Sequence, residues 1–400
     1  MAGQEERPAR KSGREDNTSE LIVLVVMGLL GIYVHVPFCT AICNYCNFNR
    51  GLFDEALKSS YVIALQEEIV QMGDGAQVDT IYFGGGTPSL LKPVEVAGII
   101  NSCRDSFDLN QDIEITLEAN PETIDADQLD GFRDVGVNRL SMGVQSFHNE
   151  ELHRLGRLHN ADCARKAYYL ARAAGFDNIS LDLMMALPQQ TMTTWKKSIE
   201  SLVELGPDHA SLYLLELYPN APLRDEMTNN GWSLTSDEDA AGMYLWALGW
   251  LEQEGYKQYE ISNISRLGKY SRHNLKYWTD GEWLGFGCGA HSTRAGVRWR
   301  NVAGTKDYIG RVRDGGDLVV ERRILSEAER IGDVLFMGLR LVEGVDIGAV
   351  ESRYRINIQQ RYGEALEPFV EAGLLREGGS RLQLTRRGML LSNEIMGVFV

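Results

Sequence analysis

Three of the chain's six cysteines fall within eight positions, Cys39, Cys43 and Cys46, spaced C-x-x-x-C-x-x-C inside VHVPFCTAICNYCNFN. Phe48 stands where a fourth would continue the series. Structural zinc takes four protein ligands, and no second cysteine pair follows at a useful distance. Soft thiolates on a short loop suit an iron–sulfur cluster instead. Three thiolates on a four-iron cube leave one iron without a protein ligand, open to a substrate or cofactor.

Further along, YFGGGTPSLL removes three successive Cβ atoms at Gly84, Gly85 and Gly86. Such a run lets backbone approach a ligand closely, and a tight strand-to-helix turn explains it equally well. Glu118 in LEANPET, Gln145 in GVQSF and Asp182 in SLDLMMALP each place a polar group in or at the end of an apolar run. Polar groups in such places need partners. One alone is commonly a structural hydrogen bonder, but their recurrence at successive run ends points to a single pocket.

The elements that would position these residues are short β-rich runs alternating with helical patterns. The candidate strands are Gly31 to Val36, Thr80 to Phe83, Ile113 to Glu118, Arg139 to Val144, Ile179 to Met184 and Ala210 to Leu215. Between them lie amphipathic stretches such as EALKSSYVIALQEEIVQM and CARKAYYLARAAG. This is the signature of βα units, and six of them imply an α/β fold, a partial (β/α)6 barrel or a strongly curved sheet, whose chemistry collects at the carboxyl ends of the strands. Four hundred residues exceed one ordinary core, so smaller units are expected beside the barrel. A net charge of -16 disfavours nucleic acid as a partner. Clustered rather than paired cysteines disfavour a disulfide framework and fit a reducing cytoplasm. Residues 1–20 read as a disordered leader. The apolar run from 21 to 36 is shorter than a bilayer span and reads as a buried strand feeding the cysteine loop, a signal segment being the alternative.

CTAICNYC after a strand, followed by YFGGGTP, resembles the radical S-adenosylmethionine proteins, and LEANP, VQSFH, RLGRLH and DLMMALP resemble their coproporphyrinogen oxidase-like branch, HemN and HemW, over roughly residues 31 to 400. The resemblance implies a [4Fe-4S] cluster on Cys39, Cys43 and Cys46, with the open iron chelated by S-adenosylmethionine. It implies cofactor contacts at Tyr33, Tyr45, Gly85, Gly86, Thr87, Glu118, Gln145, Arg157 and Asp182, with His159 a neighbour. The oxidase pattern continues to a fourth cysteine after one more residue, where this chain has Phe48, and carries a longer amino-terminal segment. Both departures match the HemW branch, described as heme chaperones. The implied function is heme binding and transfer to acceptor proteins, respiratory ones among them; oxygen-independent coproporphyrinogen III oxidation is the alternative, and whether the protein is an enzyme stays open. RNA modification by radical chemistry is a third reading, opposed by the acidic balance. An electron donor such as a flavodoxin, a dimer and contact with a membrane are compatible with it.

The same resemblance divides the chain into a core at 21–217, an extension at 218–321 and a HemN C-terminal-like unit at 322–400. HNLKYW, residues 273–278, is shared by both subfamilies. His273 is the first candidate for a heme ligand, expected at the barrel mouth with Tyr277 and Trp278, and His291 of GAHS the next. His35 reads as packing or tuning beside the cluster. In the last unit helix, helix, strand, GG turn and strand resemble a winged helix, expected to act as a lid or an interaction domain, covering the open side of the barrel being the favoured role.

Overall fold

The structure, a computed structural model, describes residues 29–400. The leader at 1–20 and most of the apolar lead-in, through residue 28, therefore lie outside the described residues. All six expected strands form: β1 (Leu30–Val36), β2 (Gln77–Gly85), β3 (Asp108–Ala119), β4 (Arg139–Gln145), β5 (Ile179–Met185) and β6 (His209–Leu214). They pair in parallel in that order. Helices α1 (Glu55–Met72), α2 (Pro93–Ser106), α3 (Ala126–Asp134), α4 (Ala161–Ala173) and α5 (Met192–Leu205) make the crossovers. The first of them is capped by Asp54, whose carboxylate accepts from the Leu57 amide at 2.8 Å.

The extension enlarges this sheet on both flanks. On one side β8 (Asn263–Ser265) adds antiparallel to β6, and β7 (Lys257–Gln258) antiparallel to β8. On the other, β9 (Trp283–Phe286) pairs parallel to β1, followed by antiparallel β10 (His291–Arg294), β11 (Val297–Asn301) and β12 (Val319–Ile324). A seventh parallel strand was not read from the sequence, because WLGF carries too few residues to show a period.

Alternation along each strand sorts its side chains. On β1, Ile32, Val34 and Val36 face outward into the apolar core beneath the helices, whereas Tyr33 and His35 face the lumen. The same rule sends Ile115 and Leu117 out and Glu114, Thr116 and Glu118 in on β3. It sends Leu140 and Met142 out and Arg139 and Ser141 in on β4. The lumen is consequently polar.

The floor, at the amino ends of the strands, is closed by α6 (Arg272–Trp278), which contains the HNLKYW motif. Lys276 pairs with Asp79 on β2 at 2.6 Å, both side chains without exposure, and also donates to the Leu29 carbonyl at 2.8 Å. His273 is fully buried, with Nδ1 against Thr80 Oγ1 and Nε2 against the Tyr277 hydroxyl, each at 2.9 Å. Burial lowers its pKa to about 3, aided by the charges of Lys276 and Arg139. The expectation that His273 sits at the mouth as a heme ligand is thereby corrected: both ring nitrogens are engaged within the floor, and the motif is a plug.

The C-terminal unit has the expected order, with β13 (Val345–Asp346), α7 (Ile347–Tyr354), α8 (Ile358–Glu371), β14 (Leu375–Gly378) and β15 (Arg381–Leu384), the three strands forming a separate sheet. It does not cover the mouth. It packs on the floor, where the Val342 amide donates to the Tyr259 carbonyl, Arg340 pairs with buried Glu260 at 3.0 Å and Arg353 pairs with Asp280 at 2.7 Å. The lid expectation is corrected accordingly. Among the described residues no helix is long and apolar enough to cross a membrane.

Removing one partner of the buried floor pair leaves an uncompensated charge. Asp79→Leu should therefore cost about 3–5 kcal/mol in urea unfolding, and the double variant Asp79→Leu, Lys276→Met should recover most of the loss.

Candidate functional site

The cysteine loop leaves β1 and returns alongside itself, Phe38–Cys39 pairing in parallel with Gly51–Leu52. Its far end is clamped by Asn49, whose Nδ2 donates to the carbonyls of Cys288 and Ala303, each at 3.0 Å. The Asn49 carbonyl lies 2.8 Å from His35 Nε2, and a carbonyl only accepts, so the His35 proton is on Nε2. Nδ1 is then free to accept from the Tyr33 hydroxyl at 3.1 Å. Burial lowers the His35 pKa, in keeping with a neutral ring. The middle of the loop is held by Asn44, which donates to the Arg154 carbonyl at 2.7 Å and to Glu226 at 2.8 Å. Arg50 donates to the carbonyls of Phe48 and Cys46.

The glycine run is what lets this loop lie against the end of β2. A Cβ on Gly86 would stand 2.7 Å from the Phe38 carbonyl and 3.0 Å from Cys39 Sγ. One on Gly85, where φ is +118°, would stand 2.6 Å from the His35 ring. The close approach inferred from the sequence is thus to the chain's own cysteine loop.

Below the loop opens a cavity of about 420 Å³ at the carboxyl ends of the strands. Cys39, Cys43 and Cys46 line it together with Tyr45, Gly85, Gly86, Thr87, Glu118, Gln145, Arg157 and Asp182, so most of the expected site is assembled in one place. Tyr33 is not on its wall; it lies one layer down, its ring 6.2 Å from that of Tyr82. The Tyr33 hydroxyl donates to His35 Nδ1, beside the cysteine loop. Tyr82, Asn120, Ser141, Tyr213 and Tyr218 line the cavity without having been singled out from the sequence. Tyr82 and Ser141 follow from the inward row of their strands once register is known, and Asn120 from its place in LEANP.

Several features fit the cavity to a cluster and a polar, charged cofactor. Cys39, Cys43 and Cys46 belong to one short loop, and all three line the cavity. Arg157 reaches Cys43 Sγ at 3.5 Å, Asn120 Oδ1 at 2.7 Å and the Gly143 carbonyl at 2.8 Å, and its Nε has no partner, leaving a donor in the pocket. Gln145 adopts φ of +67°, a left-handed backbone that costs a non-glycine residue about 1 kcal/mol or more. Its Nε2 then lies 2.9 Å from where a Cβ on Gly143 would be.

Two carboxylates supply the electrostatics. Glu118 accepts from the Tyr82 hydroxyl at 2.8 Å and from the Gly85 amide at 3.2 Å, and burial pushes its carboxyl up to about 7. Asp182 accepts from Ser141 and Ser180, each at 2.9 Å, and burial raises it too. His159, in contrast, is absorbed structurally, between Glu122 at 3.1 Å and the Val144 carbonyl at 3.0 Å.

A carboxyl raised to about 7 is mostly neutral below that pH and ionised above it. Affinity for S-adenosylmethionine, a sulfonium cation, should therefore rise as pH passes upward through about 7 in calorimetric titrations. Glu118→Gln should weaken binding and flatten that profile.

Comparison with known proteins bears on this geometry. Residues 33–202 match the radical SAM superfamily and residues 325–391 the HemN C-terminal domain. Heme chaperone HemW of Bacillus subtilis is 34% identical over 372 residues, covering 92% of this chain and 98% of that protein. The mitochondrial radical S-adenosyl methionine domain-containing protein 1 of Bos taurus is 36% identical over 326 residues, 78% of this chain and 74% of its own. The solved structure of coproporphyrinogen III oxidase (HemN) from Escherichia coli, described as a radical SAM enzyme, is similar with a TM-score of 0.83 at 25% identity, covering 95% of this chain and 93% of that one. With its three-thiol loop and glycine run at the mouth of such a barrel, the chain belongs to the HemW family within the radical S-adenosylmethionine superfamily.

Proposed function

We propose that the protein is a heme chaperone that carries a [4Fe-4S] cluster on Cys39, Cys43 and Cys46, binds S-adenosylmethionine in the cavity beneath, and hands heme to acceptor proteins. The cluster supplies an iron open to the methionine moiety of the cofactor. Arg157 is the donor for that moiety's carboxylate, and Glu118, Gln145 and Asp182 are the polar groups for its amine and ribose. The names of the relatives support heme as cargo.

The observation that carries the reading is the mouth rim. Phe48 is 65% exposed on the cavity edge, at the position where the oxidase pattern has a further cysteine, and exposed Leu214 and Tyr218 share that edge. A flat apolar macrocycle suits such a rim, whereas a fourth thiol is missing from it. His291, exposed at the start of β10 on the sheet's flank and outside the cavity lining, is the imidazole this reading assigns to heme iron. Respiratory proteins as recipients, a flavodoxin-type electron donor, a dimeric state and a cytoplasmic site with membrane contact remain parts of this reading.

The oxidase reading draws on the overall likeness to HemN and is opposed by Phe48. Anaerobic reconstitution should yield about four irons per chain. Serine at Cys39, Cys43 or Cys46 should abolish the cluster, and serine at Cys103, Cys163 or Cys288 should retain it. Heme should bind near one equivalent, and Phe48→Asp should weaken it about ten-fold, as loss of a large apolar contact implies. His291→Ala should shift the Soret band. No coproporphyrinogen should be converted with cofactor and reductant present; robust turnover would replace the chaperone reading with the oxidase one.

A further inference from the structure

Two residues on the cavity wall stand at capping positions and do not cap. Thr87 precedes the short helical turn Pro88–Leu90 and Asn120 the turn Pro121–Thr123, places where threonine and asparagine commonly accept from the first helical amides. Neither side chain makes such a bond here. They bond to each other instead, Asn120 Nδ2 donating to Thr87 Oγ1 at 3.1 Å.

The direction of each bond follows from its ends. A guanidinium only donates, so the Asn120 atom 2.7 Å from Arg157 Nη2 is the amide oxygen, Oδ1, and Nδ2 is left to face Thr87. Thr87, a buried residue, accepts there, and its single hydroxyl proton goes to Cys39 Sγ at 3.6 Å. Arg157 Nη1 itself lies 3.5 Å from Cys43 Sγ. One positive group thus ends on two thiols of the loop, on Cys43 directly and on Cys39 through an amide and a hydroxyl. Each member of the chain accepts from the one before it, which makes its own hydrogen more positive, and every dipole points toward sulfur. An iron–sulfur cluster gains negative charge on reduction, and hydrogen bonds and positive charge at its sulfurs favour the reduced form.

We propose that Asn120 and Thr87 are positioning residues that carry the Arg157 charge to the Cys39 thiolate and so raise the reduction potential of the cluster. The proposal rests on the reading of the three-thiol loop as a cluster site. In the step it governs, the cluster takes one electron from an external one-electron donor, which is oxidised. No bond forms or breaks, and the Thr87 proton stays on its oxygen. Arg157 is also the group assigned to the cofactor's carboxylate, so one guanidinium serves both the cofactor and the thiols.

A redox titration of the reconstituted full-length protein tests this, with dithionite as reductant, S-adenosylmethionine left out and the reduced cluster counted by electron paramagnetic resonance. Thr87→Val keeps the shape of the side chain and removes the hydroxyl. It should lower the reduced-to-oxidised ratio at a given potential about ten-fold, a downward shift of about 59 mV for a one-electron couple. Thr87→Ala stands in should Thr87→Val fail to load a cluster. Thr87→Ser keeps the hydroxyl and should titrate as the unsubstituted protein does. Asn120→Asp leaves Thr87 in place but offers its hydroxyl a carboxylate, which turns the proton away from sulfur. It should therefore lower the potential more in the unsubstituted background than in the one lacking the hydroxyl, where only the added charge acts. A potential unmoved by loss of the hydroxyl, or moved as far by Thr87→Ser, overturns the proposal, as does an equal effect of Asn120→Asp in both backgrounds. Absence of a four-iron cluster in the unsubstituted protein overturns the reading of the loop itself, and the role of the chain with it.

Discussion

The structure depends on one constraint: six adjacent parallel strands that are apolar on the outer face and polar on the inner. Strands of a parallel sheet are normally apolar on both faces because helices or packed side chains cover each. Here Glu114, Thr116, Glu118, Arg139, Ser141, Ser180, Asp182, His209 and Ser211 look inward and are largely withdrawn from water. Each costs free energy unless it is paired. The lumen is therefore held by hydrogen bonds whose geometry is far more restrictive than apolar packing. Two carboxylates can be kept at its top in fixed orientations because hydroxyls of Ser141, Ser180 and Tyr82 are directed at them from the same and neighbouring strands.

The cysteine loop inherits its position from that lumen. It has little regular structure of its own beyond the two-residue ladder of Phe38–Cys39 with Gly51–Leu52. What fixes it is the line from Tyr33 through His35 to the Asn49 carbonyl, with the Asn49 amide reaching across to the turn after β9. Lumen residues of β1 thus support the thiols without touching the cavity. The same turn brings Cys288 close to Asn49, which gives this isolated cysteine a structural place beside the loop rather than on the cavity wall.

Much of this was legible in the sequence, and the omissions have physical causes. Strands such as ISLDLMM declare themselves because their outward residues are aliphatic without interruption, and cysteine spacing is local information that survives without a fold. The assembly of Glu118, Gln145 and Asp182 around one cavity was readable from their recurrence at strand ends, whereas Arg157, in the loop after Asn149–Arg154, came from the resemblance of RLGRLH alone. His273 was misplaced because a histidine with aromatic neighbours looks the same in sequence whether it faces a ligand or a wall. Only the three-dimensional contacts with Thr80 and Tyr277 distinguish the two. The depth of Tyr33, one layer below the cavity lining, was hidden for a related reason: inward orientation is set by strand period, but depth within the lumen is set by register with β2. The lid expectation failed because the order of elements in the last unit says nothing about which end of the barrel it meets.

These corrections converge on a division between the two ends of the barrel. The floor is sealed by a buried ion pair, by the HNLKYW plug and by the C-terminal unit, which adds Arg340 opposite buried Glu260. Buried pairs of this kind are costly to break singly, so the floor resists opening. The mouth carries the opposite chemistry: exposed apolar side chains at Phe48, Leu214 and Tyr218, and a thiol loop held from below. With the C-terminal unit packed on the floor, that apolar rim is left uncovered by it, so the two ends of the barrel present opposite surfaces: a paired, closed one below and an open, apolar one above.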